Sequence, residues 1–214
     1  LPSILPLVDG RAEIEELSPT MIQLGTCIIQ ISLSRLWANL GVKPQYVLGH
    51  SLGEYAALCV AGALSISDTI YLCGWRAALI ENGCTADTHG MVAVKASKEH
   101  LAPALTQNPS VEVACVNGPE DTVLSGPNTG VDAICLSLTT LGLKFTKLPV
   151  PFAFHSSQID PILDELEGTA RHVSFKPTTL PIISTLLGTI INPGETIGPG
   201  YIRRHCREPV EFVD

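Results

Sequence analysis

The stretch Tyr46-Val47-Leu48-Gly49-His50-Ser51-Leu52-Gly53-Glu54-Tyr55-Ala56-Ala57-Leu58 decides the reading of this chain. A short apolar run, 46–48, ends at a glycine. A serine follows two positions later, and a run of small and apolar residues begins at 55. This is the pattern of a strand, a sharp turn and a helix, with a serine hydroxyl presented at the C-terminal edge of a sheet. Gly49 and Gly53 are expected there because a Cβ would collide with the neighbouring strand and helix. Ser51 also stands at a helix N-terminus, where free N–H groups and the dipole favour developing negative charge. The arrangement points to a nucleophile that forms acyl esters.

Outside that stretch, composition sets bounds. The 214 residues fit a large single domain or a pair of subdomains. With 45% hydrophobic and 16% charged residues there is ample material for a core, which argues against disorder. The net charge is −8 and no basic cluster occurs, which argues against nucleic acid as a partner. No apolar run approaches the ~18 residues of a membrane span, and no secretory signal is visible at the start. The seven cysteines are odd in number, contain no CxxC pair and lie mostly in apolar runs, which suggests a reducing compartment and a cytoplasmic location. The histidines are scattered without ligand spacing, so no metal site is expected. The chain opens at Leu1 and stops at Asp214 in mid-pattern, and reads as an excised piece of a longer polypeptide.

Along the chain, the acidic run Glu13, Glu15 and Glu16 reads as a solvated surface or the first turn of a helix. Ser18-Pro19 reads as an N-cap followed by proline at the first helical position. Over 21–40 the apolar residues Ile22, Ile29, Leu33, Leu36 and Trp37 recur at helical spacing, and Leu40 closes the face. The helix after Ser51 is expected to run to about Ala61 and stop at Gly62; Ser65 caps another over about 68–81. From 91 to 150 the order strand, helix, strand, strand, helix, strand is expected, the ferredoxin-like arrangement inserted into the larger unit. A helix over 159–169, a buried strand over 180–184, a loop over 190–200 and a last helix from Tyr201 complete the reading.

A serine hydroxyl needs a base, usually histidine. His50 adjoins Ser51 at a tight elbow and suits a supporting role. His89, His100, His172 and His205 read as structural, the last two in polar surroundings. His155 differs. It lies in Pro151-Phe152-Ala153-Phe154-His155-Ser156-Ser157, where the chain returns from the inserted unit, and irregular aromatic-rich segments at such junctions often line clefts. By itself this leaves His155 open between a base and a hydrogen-bonded structural role.

The run Gly49-His50-Ser51-Leu52-Gly53-Glu54-Tyr55-Ala56-Ala57, followed by Arg76, Cys115-Val116-Asn117-Gly118-Pro119 and Val150-Pro151-Phe152-Ala153-Phe154-His155-Ser156, resembles the acyltransferase domains of polyketide and fatty-acid synthases. It looks most like the malonyl-CoA:acyl-carrier-protein transacylase domains of fungal non-reducing iterative polyketide synthases, over nearly the whole chain. The resemblance implies an α/β fold: an α/β-hydrolase-like large subdomain with a parallel sheet (residues 1–89 and 152–214, truncated at both ends), and a ferredoxin-like small subdomain (90–151). It implies Ser51 as the acylated nucleophile and His155 as the general base. Arg76 would grip the free carboxylate of a malonyl group, which suits a planar guanidinium. Gln23 would position the substrate, and the Leu52 N–H would serve the oxyanion hole. Phe154 stands where the family's malonyl-selective members carry Phe and its methylmalonyl-selective members Ser, a steric preference of about 1–3 kcal/mol. Phe152 departs from the histidine often found at the first position of that motif. The backbone carbonyl of Glu211, in Pro209-Val210-Glu211-Phe212, would orient the base.

The same resemblance implies ping-pong transfer of malonyl from malonyl-CoA through Ser51 to the phosphopantetheine thiol of an acyl carrier protein, with no bound metal or redox cofactor. Its partners would be the carrier protein and neighbouring synthase domains in the same polypeptide, with no nucleic acid and no membrane. The family's second oxyanion donor comes from a Gly-Gln-Gly type loop that this sequence lacks. Losing one donor costs ~100–1,000-fold in turnover, so the 214-residue piece is expected to be impaired; malonyl loading compared with a version extended at both ends checks this. The alternatives are a serine hydrolase or thioesterase of α/β-hydrolase type, a starter-unit transacylase, and a non-catalytic docking scaffold. The hydrolase reading sits poorly with only some 45 residues before the elbow and with Asp160 and Asp164 after His155. Arg76 argues for a carboxylated extender over a starter unit.

Overall fold

The computed structural model describes residues 9–10 and 17–213, so the acidic run at Glu13, Glu15 and Glu16 lies outside the described residues. Helix α1 spans Pro19–Asn39; the Ser18 hydroxyl accepts the Met21 N–H and Pro19 occupies the first turn, where no donor is missed. Strand β1 is Val47–Leu48, followed by α2 (Gly53–Val60) and α3 (Ile66–Gly83). Gly62 ends the α2 segment at φ +77°, a conformation glycine adopts without Cβ strain. The Ser65 side chain caps α3 by accepting the Asp68 N–H.

The next stretch is β2 (His89–Val94), α4 (Lys98–Gln107), β3 (Glu112–Gly118), β4 (Asp121–Pro127), α5 (Asn128–Thr140) and β5 (Phe145–Leu148). A 3₁₀ turn over Ser157–Ile162 leads into α6 (Leu163–Ala170). Then come β6 (Ile182–Ser184), β7 (Thr189–Ile191), α7 (Pro199–Arg207) and β8 (Val210–Glu211).

These elements make an α/β fold with two mixed sheets. In the three-stranded sheet the order is β1-β6-β7: β1 runs parallel to β6, and β7 antiparallel to it. The expected all-parallel sheet is therefore corrected, because β6 turns back through a short connection into a strand where a loop was expected. Its three residues are too few to show alternation in sequence. The five-stranded sheet has the order β5-β2-β4-β3-β8, antiparallel except for β3 with β8. On β2 the pleat sends Val92 and Val94 into a core under α4 and α5, with Leu101, Ile134 and Leu138, while Met91 faces the opposite side with Ala153 and Val210. That opposite face is the one that meets the segment carrying His155.

The larger core gathers Leu24 and Ile31 of α1, Tyr55 and Leu58 of α2, and Leu72 and Ile80 of α3. The apolar stripe of α1 is not its buried face. Trp37 is 55% exposed and Leu40 66%, while Gln23, Leu24 and Cys27 point inward. Two boundaries also differ from expectation. The helix expected from 159 is 3₁₀ through Ile162, and it contains Pro161, which has no N–H to give an α-helix. Strand β8, on the expected large unit, pairs with β3 of the other sheet.

Candidate active site

Ser51 sits between β1 and α2 with φ +48°, left-handed for a residue that carries a Cβ. Gly49 makes this turn possible: a Cβ there would lie 2.3 Å from the Glu54 N and from the Gly53 carbonyl carbon. The same expectation fails at Gly53, where a Cβ would meet nothing nearer than the Gln30 amide at 3.9 Å. The Ser51 hydroxyl lies 2.8 Å from His155 Nε2, across 104 residues of chain.

His155 is buried and also left-handed, at φ +56°. Its Nδ1 is 2.8 Å from the carbonyl oxygen of Glu208, which fixes the tautomer with Nδ1 donating and Nε2 free to accept from Ser51. The orienting carbonyl is thus Glu208 and not Glu211. Helix α7 stops at Arg207, and the extended backbone at Glu208 (ψ 158°) turns that carbonyl out of the helix. Three residues later Glu211 is already in β8: its N–H donates to the Thr185 carbonyl and its carboxylate lies 3.4 Å from Lys98 Nζ.

Burial, then the positive charge of Arg76, hold the His155 imidazole down at about 3. The ring is therefore neutral at physiological pH, the state in which it can take a proton. His50 turns away from Ser51, with Nε2 2.7 Å from the Asn117 side-chain oxygen and its ring tilted against Phe212.

Arg76 comes from the middle of α3 and is only 2% exposed. It donates through Nη1 to the Gln23 side-chain oxygen, and its Cζ lies 5.6 Å from the centroid of the Phe154 ring. No carboxylate pairs with it among the described residues. Its Nε and the Gln23 Nε2 are buried donors without an acceptor. Buried polar groups are normally satisfied, so these two donors stand out as able to take an acceptor. The Leu52 N–H, at the head of α2, donates to no backbone carbonyl among the described residues.

Two buried groups were missed in the sequence. His205, read as structural and in polar surroundings, is 3% exposed, with its ring centroid 6.3 Å from that of His155. The signal was its spacing with Ile202 and Cys206 on one face of α7. Glu54, in the first turn of α2 and given no role in the sequence, is fully buried. Among the described residues no group of metal-ligating side chains could hold an ion, and no helix is long and apolar enough to cross a membrane.

Residues 11–214 match the family model described as "Acyl transferase domain". This chain belongs to the acyl transferase domain family. The acyl transferase domain is 60% identical over its full length to a segment of the bikaverin polyketide synthase bik1 of Gibberella fujikuroi, and 59% identical over 99% of its length to the non-reducing polyketide synthase aoiG of Aspergillus oryzae. It spans 10% of the length of each. Among solved structures, it superimposes on the acyltransferase domain from the second module of the salinomycin polyketide synthase with a TM-score of 0.87 at 35% identity, covering 94% of this chain and 47% of that one. A malonyl CoA-acyl carrier protein transacylase from Clostridium perfringens gives 0.85 at 26% identity, covering 91% and 63%. The chain is thus an acyl transferase domain with high-identity relatives among fungal polyketide synthases.

Proposed function

We propose that this domain moves a malonyl group from malonyl-CoA, through an ester on Ser51, to the phosphopantetheine thiol of an acyl carrier protein during polyketide synthesis. The observation that carries this reading is the buried Arg76 guanidinium, which pairs with no carboxylate among the described residues, is bonded to a Gln23 whose amide donor is unused, and is near enough to His155 to depress its ring. A plain acyl group would leave both donors unpaired, at a cost of about 1–3 kcal/mol each. A malonyl carboxylate satisfies both.

In this mechanism His155 Nε2 takes the Ser51 proton as Oγ attacks the thioester carbonyl. The Glu208 carbonyl holds the ring and stabilises the imidazolium. The Leu52 N–H, with the α2 dipole behind it, faces the oxyanion. Coenzyme A leaves as the thiol with the proton from His155, and the carrier thiol then repeats the sequence in reverse. Arg76 and Gln23 hold the carboxylate throughout, and Phe154 limits room for an α-branch. The bound carboxylate also cancels the charge that depresses His155, so the base strengthens when substrate is seated. No resident cofactor enters these steps.

The strand order β5-β2-β4-β3 supports reading residues 90–151 as a ferredoxin-like small subdomain. Residues 1–89 and 152–214 would then form the α/β-hydrolase-like one, apart from β8. Its place of work would be a cytoplasmic synthase, beside a carrier domain and other catalytic domains.

The test is intact-mass measurement after incubation with equal malonyl-CoA and acetyl-CoA, on this chain and on a version extended at both ends. A malonyl adduct that maps to Ser51 and vanishes in Ser51→Ala is expected. Acetyl loading in preference to malonyl, or no adduct in either version, overturns the reading.

A further inference from the structure

Behind the Ser51 turn lies a largely buried polar cluster that the proposed transfer does not use. The Glu54 carboxyl is fully buried. One oxygen, Oε2, lies 3.0 Å from Thr185 Oγ1, and the other accepts from the Tyr201 hydroxyl. The Tyr201 oxygen lies 2.6 Å from the Ser184 hydroxyl, which can donate to it. Thr185 Oγ1 is also 3.2 Å from the carbonyl oxygen of Gly49, two residues before Ser51. The other titratable group facing Glu54 is His205 on α7, with Nε2 at 3.6 Å, too far for a hydrogen bond. His155, Arg76 and His50 face His205 in turn.

The Thr185 hydroxyl is the shared group of this cluster. A threonine hydroxyl has one proton, yet Thr185 has two acceptors in reach, Gly49 O and a carboxylate oxygen. If Glu54 is ionised, the Thr185 hydroxyl can serve only one of them, and when it serves Gly49 the buried charge keeps only the Tyr201 hydroxyl and the Thr185 backbone N–H. If Glu54 carries a proton, every contact closes: Glu54 donates to Thr185, Thr185 donates to the Gly49 carbonyl, and Tyr201 donates to the other Glu54 oxygen.

We propose that Glu54 is a positioning residue held in its protonated form, which commits the Thr185 hydroxyl to the Gly49 carbonyl and so locks the turn that presents Ser51. Its burial without a cation supports this, since desolvation raises the carboxyl to about 7 against a partial opposing pull from the Thr185 bonds. Burial, and then the neighbouring His155 ring and the charge of Arg76, disfavour protonation of His205, so it offers Glu54 no counter-charge. Above neutrality Glu54 loses its proton to solvent, the Thr185 hydroxyl turns to donate to the carboxylate, and the Gly49 carbonyl is released.

The inference rests on the proposed role of Ser51 as nucleophile but not on malonyl as substrate, and the test separates the two. The probe is a fluorophosphonate: Ser51 Oγ bonds to phosphorus, fluoride leaves, and the serine proton goes to His155. Its rate reads the nucleophile turn whatever the natural acyl group. Glu54→Gln keeps a donor for Thr185 and an acceptor for Tyr201, and is expected to react within about threefold of the parent. Thr185→Val is expected to react at least about 10-fold more slowly, with Thr185→Ser restoring the rate. The parent rate should fall on the alkaline side of neutrality while that of Glu54→Gln does not. Independently of reactivity, the infrared carbonyl band of a protonated carboxylic acid should be present at pH 6 and absent from Glu54→Gln. An unchanged rate in Thr185→Val, an alkaline fall that persists in Glu54→Gln, or no such band would overturn the proposal. No phosphonylation of the parent by the probe, with the band present, would instead sink the nucleophile reading.

Discussion

Two side chains carry the proposed chemistry, and both are held in a backbone region that L-residues avoid. Ser51 and His155, at φ +48° and +56°, meet at 2.8 Å. The left-handed conformation costs roughly 1–2 kcal/mol per residue, so the cost at position 51 can be isolated. Ser51→Gly and Ser51→Ala both lose the hydroxyl, but only glycine escapes the strain. Urea unfolding should find the glycine variant more stable than the alanine variant by about 1 kcal/mol. Arg76 yields a second prediction. Arg76→Ala removes the anion partner and should lower malonyl loading about 100-fold. The same variant should raise the His155 pKa, because the guanidinium charge is second only to burial in depressing it. An NMR titration of the His155 ring checks the second half. A pKa unmoved by the loss of Arg76 would separate the two sites.

At the level of elements, the strand–turn–helix around Ser51 was legible because its signals are local: an apolar run, a forced glycine and a small-residue helix. Gly49 and Gly53 look equivalent in sequence, yet space decides differently at each. Gly49→Ala must move the backbone of Gly53 and Glu54, and is expected to destabilise by more than about 3 kcal/mol. Gly53→Ala should fall within about 0.5 kcal/mol of the parent, since only the end of a flexible Gln30 side chain lies near. Thermal melts of the two variants settle the contrast. The orienting carbonyl was not legible, since every residue has one and its availability depends on where α7 ends. A helix stopping at Arg207 frees the oxygen of Glu208, and no residue type marks that stop. The outward stripe of α1 was opaque for a related reason. Periodicity reveals an apolar face but not what lies opposite, and here small and polar Thr20, Gln23, Gly25 and Cys27 are buried alongside Leu24 and Ile31.

The whole molecule is closed by its last described strand. The Glu211 N–H donates to Thr185, next to the three-stranded sheet, and the Phe212 N–H donates to Val116 of β3 in the other. The crossing strand follows directly on the Glu208 carbonyl, so the two sheets and the His155 ring are fixed by one short segment. Two buried groups then give stability opposite pH dependences. His155, depressed from 6.5 to about 3, contributes stability above pH 6.5 that is lost as the pH falls towards 3. Glu54, raised from 4.5 to about 7, contributes stability below pH 4.5 that is lost as the pH rises through 7. Between pH 4.5 and 6.5 the two slopes therefore oppose each other, so urea midpoints should rise with pH more steeply in Glu54→Gln than in the parent over that range; equal slopes would remove Glu54 from the account. One surface feature governs how such measurements must be run. Beside the outward side of α1, Trp37, Val42, Tyr46 and Leu48 line an open groove of about 770 Å³. Water wets such a trough poorly, so colloidal behaviour, more than folding, will set the working concentration of this polypeptide: dilution, low ionic strength or a mild surfactant keeps molecules apart that crowding would bring together.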